Sequence, residues 1–83
     1  MDRNSINRIK KTLACSDDQA KKVMEYIVGA GIKLPIEEAG KEGDKILLIT
    51  ADRKKYSVEV NSRFSVMSIK DIDAGKYVFT VFQ

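Results

Sequence analysis

Apolar residues recur at helical spacing along the first third of the chain. Over residues 3–14, Ile6, Ile9 and Leu13 fall three and four apart, with Arg3, Asn4, Asn7, Arg8, Lys10 and Lys11 around the other side. At 3.6 residues per turn such positions form one stripe, which predicts an amphipathic helix of about three turns, capped by Asp2 or Asn4. A second stripe, Ala20, Val23, Met24, Ile27 and Val28, follows Ser16, Asp17, Asp18 and Gln19. Ser16 and Gln19 fit a capping box, and the two aspartates lie where the helix dipole favours negative charge. Gly29 and Gly31 are expected to provide left-handed positions that end this helix.

The period then changes from helical to alternating. Residues 32–43 read as a connection: Pro35 forbids helix, 34–39 fits a short edge strand, and the stretch from Gly40 to Gly43 reads as a turn. Residues 44–51, 56–60, 64–72 and 76–82 are apolar or alternating, and the polar breaks between them have hairpin lengths. Valine and isoleucine total 16 against four leucines, and most lie in this half, as a pleated surface prefers. The expected fold is α+β: a helical hairpin packed on one face of a three- to five-stranded antiparallel meander. Residues 1–83 form a single domain in this reading, with a helical part at 1–31 and the sheet at 44–83.

Two strands break the alternation of a sheet covered on one side only. Tyr56, Val58 and Val60 oppose Ser57 and Glu59, as expected. In contrast, Ile46 and Leu48 oppose Leu47 and Ile49, while Tyr77, Phe79 and Val81 oppose Val78, Thr80 and Phe82. No charge occurs between Tyr77 and Phe82, although sheet edges are usually blunted by charge or proline. Leu47, Ile49, Tyr77, Val78, Phe79 and Phe82 are therefore the expected association surface, for a partner protein or for a second copy in a homodimer.

Composition removes most chemistry. The 83 residues include no histidine, no tryptophan and one cysteine, so Ser-His, Cys-His, zinc-finger and CxxC arrangements cannot be built. Cys15 precedes the second helix beside two aspartates and without a base, and reads as a small apolar staple. Asp71 and Asp73 ahead of Gly75 fail the calcium-loop pattern, and neither glycine-rich stretch has nucleotide-loop spacing. No catalytic residue, cofactor or metal is expected. A single thiol fits a reducing, cytoplasmic compartment. No apolar run reaches membrane-spanning length, and Met1, Asp2 and Arg3 do not open a signal peptide.

Charge supplies the alternative. Residues 1–33 carry seven basic and four acidic side chains, net +3, whereas residues 34–83 carry eight of each. Arg3, Arg8, Lys10, Lys11, Lys21 and Lys22 on the helices are candidates for phosphate contact, with Gln19, Lys22 and Tyr26 facing outward. Arg53, Lys54 and Lys55 form a second basic cluster, where Tyr56 beside them would stack bases. The competing account of both is a solvated polar surface.

The strands at 46–51, 56–60 and 64–69 around short polar turns resemble those of PepSY-type domains of bacteria over roughly residues 17–72. The likeness is one of strand pattern alone, which many meanders share, and no family is assigned on it. The expectation is a small non-catalytic binding module acting through protein–protein interaction, of adaptor or inhibitor type; the alternative is nucleic-acid binding through the basic helical half.

Overall fold

Two helices lie against one face of a five-stranded antiparallel sheet in the computed structural model, which describes residues 2–81. Helix α1 (Arg3–Leu13) starts where the Asp2 side chain accepts the amide proton of Asn4. It stops at Ala14, whose left-handed backbone (φ 52°) returns its N–H to the carbonyls of Lys10 and Lys11. Helix α2 (Asp17–Gly29) carries the expected capping box, with Ser16 and Gln19 each bonding the other's backbone. Its end differs from the expectation. Gly29 is still helical, and Gly31, at φ 83°, alone makes the left-handed reversal.

The buried stripe of α2 is Ala20, Val23, Met24 and Ile27; Val28, expected to continue it, is 45% exposed. At 100° per residue Val23 and Met24 bound the buried stripe, with Ala20 and Ile27 between them, and Val28 falls about 40° beyond Met24, outside it.

Strands β1 (Ile36–Glu42), β2 (Lys45–Thr50), β3 (Lys55–Val60), β4 (Val66–Asp71) and β5 (Lys76–Thr80) pair in chain order. β1 is the edge strand foreseen after Pro35, but it runs through the stretch read as a turn. Gly40, Lys41 and Glu42 pair with Leu47, Ile46 and Lys45. The reversal shrinks to Gly43 and Asp44, with Gly43 at φ 62°, as a two-residue hairpin requires.

Register decides what the helices cover. Ile46 pairs with Val58 and Leu48 with Tyr56, and all four are buried, together with Ile6 and Ile9 of α1 and the α2 stripe. α1 packs on β1 and α2, and α2 reaches β4. Among the described residues the opposite face carries no helix. There Lys45 sits across from Glu59, and Leu47 across from Ser57.

The last pairing is irregular. Ile69 pairs with Phe79 but Lys70 pairs with Tyr77, so Val78 is an extra residue in β5. Cross-strand partners share a face. Phe79 thus turns with buried Ile69 toward the helices, and Tyr77 turns with Lys70 to the open face. The strict alternation that put Tyr77 and Phe79 together is corrected by this bulge. Among the described residues no helix is long and apolar enough to cross a membrane.

Candidate protein-interaction surface

A strand at the end of a sheet exposes one side of its backbone, and its side chains decide whether anything pairs there. β1 and β5 are the two ends of this sheet. β1 carries Glu37, Glu38, Lys41 and Glu42, the charge that blunts an edge. β5 carries only Lys76, at its start; Tyr77 is 58% exposed, Val78 41% and Val81 49%. The Val81 amide still bonds the Met67 carbonyl at 3.0 Å, so pairing with β4 continues past Thr80.

Beside this edge, on the helical side, lies a shallow groove of about 350 Å³ bordered by Lys22, Glu25, Tyr26, Gly29 and Phe79. Its floor is an aromatic pair: the Tyr26 and Phe79 rings are 5.4 Å apart and tilted by 57°. Of the α2 residues here, Lys22 and Tyr26 were expected on an outward face available to phosphate, and Glu25 and Gly29 were not singled out for a site; Tyr26 is half-buried against Phe79. A signal was present: positions 22, 25, 26 and 29 have the spacing i, i+3, i+4 and i+7 of a second stripe beside the buried one.

The six residues expected to form the surface are divided. Tyr77, Val78 and Phe79 lie on β5 but serve the open face, the bulge and the groove in turn. Leu47, 36% exposed, and Ile49, half-buried, lie on the open face of β2. The row from Leu47 to Tyr77 crosses Ser57 and Lys70, three strand spacings or about 14 Å. The Lys70 ammonium covers the Tyr77 ring at 5.6 Å from its centroid. Phe82 lies outside the described residues.

The basic candidates are divided as well. Arg3 donates to both Asp17 carboxylate oxygens at 3.2 and 2.5 Å, Lys21 approaches at 3.3 Å and Lys10 at 4.0 Å. The Arg3 hydrogen bond, with help from Lys21, holds the Asp17 carboxyl down at about 2, and the same contact raises the Arg3 guanidinium. Arg8, Lys11 and Lys22 remain exposed. Arg53 and Lys54 occupy the β2–β3 turn, where Arg53 takes φ 68°, and Lys55 begins β3. Tyr56 is 6% exposed and faces the core, and burial pushes its phenol pKa up. It cannot stack a base beside those cations, so that part of the nucleic-acid reading is corrected.

Cys15 is half-buried against the core, and burial raises its thiol pKa, the opposite of an activated thiolate. Asp71 accepts the Ala74 amide at 3.1 Å, which assigns it to a turn. Among the described residues no three acidic or thiol side chains converge as metal ligands would. A larger groove of about 410 Å³ is bordered by Leu13, Lys41, Lys45 and Phe64. Comparison with models of protein families, with curated proteins and with solved structures finds no match.

Proposed function

We propose that this chain is a small non-catalytic binding module that acts through protein–protein contact, in the manner of an adaptor or inhibitor, with the β5 edge as its binding surface. The observation that carries the reading is the asymmetry of the two edges: β1 is charged, while β5 is uncharged after Lys76 and adjoins an aromatic-floored groove. An extended segment added to β5 would gain main-chain hydrogen bonds from the edge and a pocket for an alternate side chain. The proposal includes a cytoplasmic, reducing setting, for which the free Cys15 speaks.

A photo-reactive residue at Val78, expressed in the native cell, tests the reading. Polypeptide adducts at Val78 that resist nuclease, and that are absent with the same residue at Lys11, are the expected result. Adducts at Lys11 that carry nucleic acid, with none at Val78, would overturn it in favour of phosphate contact through the helices. Salt then separates the two, because phosphate contacts weaken steeply as salt rises.

A further inference from the structure

We infer that the occupant of the β5 edge is a second copy of this chain, paired antiparallel through β5 about a two-fold axis to give one ten-stranded sheet. This rests on the edge reading above and adds the identity of the partner.

Charge and closure together select this pairing among those a copy could make. Two β1 edges would bring three acids and one lysine of each chain together, Glu37, Glu38, Glu42 and Lys41, so two net negative edges would meet. A β1–β5 contact would place Lys76 against that acidic edge, but it is head-to-tail and does not close as a dimer. Two β5 edges meet without like charges along Tyr77, Val78 and Phe79, and the contact is self-complementary, so it closes as a dimer.

The groove supports the same occupant. Phe79 faces the helical side with its cross-strand partner Ile69. An antiparallel neighbour therefore brings its own Phe79 toward the groove floored by Tyr26 and Phe79, matching an apolar side chain to an apolar floor. The two-fold also sets the α2 helices antiparallel on one side of the sheet. Lys22 and Glu25, both on the groove border, then face the partner's Glu25 and Lys22. The chain thus carries complementary charges on each side of the same axis.

Sedimentation equilibrium on the purified chain gives the test. The wild type should sediment at twice its 9.3 kDa mass at micromolar concentration, and Val78→Lys at the single mass with an unchanged circular dichroism spectrum. Lys22→Glu, which sets acids against acids, should weaken the dimer about tenfold, and adding Glu25→Lys should restore it. A wild type that stays monomeric, a Val78→Lys protein that still dimerises, or a charge swap without rescue would each overturn the inference. Should a monomeric wild type still give Val78 adducts with a different polypeptide in the cell, the second copy is wrong and the edge reading stands. With no polypeptide adducts at all, both fall.

Discussion

The Ser5 hydroxyl, inside the first turn of α1, accepts the amide proton of Ile36 at 2.9 Å, and donates its own proton to the Asp2 carboxylate at 2.6 Å. Ser5 is fully buried, and Ile36 is the first residue of β1. One polar side chain thus joins the cap of the first helix to the start of an edge strand 31 positions later. Nothing in the local pattern around Ser5 announces this, since it is one polar residue among several on a helix whose apolar stripe begins at Ile6.

Replacing Ser5 by alanine should therefore cost about 1–3 kcal/mol, because the Ile36 N–H stays buried without an acceptor. Urea unfolding checks it, with Asn7→Ala, on an exposed position of the same helix, expected within about 0.5 kcal/mol of the wild type.

Asp17 links stability to pH. Its carboxyl titrates at about 2 in the folded chain against an ordinary 3.8. A carboxylate that is more acidic when folded stabilises the fold above the unfolded value and loses that contribution as pH falls through the folded one. The urea midpoint of the wild type should exceed that of Asp17→Asn near neutrality, and the gap should close between about pH 4 and pH 2. Added salt should narrow the gap at neutral pH, since Asp17 and its three cations are solvent-accessible.

Two adjacent leucines on β2 should respond very differently to truncation. Leu48 is fully buried beneath the helices and Leu47 is 36% exposed on the open face. Leu48→Ala should cost about 2–5 kcal/mol and Leu47→Ala less than half as much. Equal costs would contradict the register in which Leu48 meets Tyr56 and Leu47 meets Ser57.

The Tyr26–Phe79 contact should show coupling beyond the burial of each ring. A double-mutant cycle with Tyr26→Leu and Phe79→Leu is expected to give about 0.5–1.5 kcal/mol. A coupling near zero would mean that the bulge at Val78 does not turn Phe79 toward α2.

Much of this protein was legible in its residues alone. Caps and stripes are local: Ser16 with Gln19, Asp2 ahead of Arg3, and Ile6 with Ile9 follow from backbone hydrogen-bonding needs and a 3.6-residue period. The change to period two announced the strands, and short polar breaks announced a meander, because hairpins need no crossover. The charge contrast between the two edges was also present in the residues, once β1 and β5 are known to be the edges. What only the tertiary structure decided is non-local. The bulge at Val78 comes from pairing with β4, and it alone separates Tyr77 from Phe79. Tyr26 is half-buried because Phe79 turns toward α2, while Val28 is exposed because it falls past the margin of the face that α2 buries. Tyr56 enters the core, instead of joining the cations before it, because its partner across the strands is Leu48. Ser5 finds Ile36 only when α1 lies over β1. In each case a side chain's environment is set by an element distant in sequence, and periodicity within one segment carries no information about which element that will be.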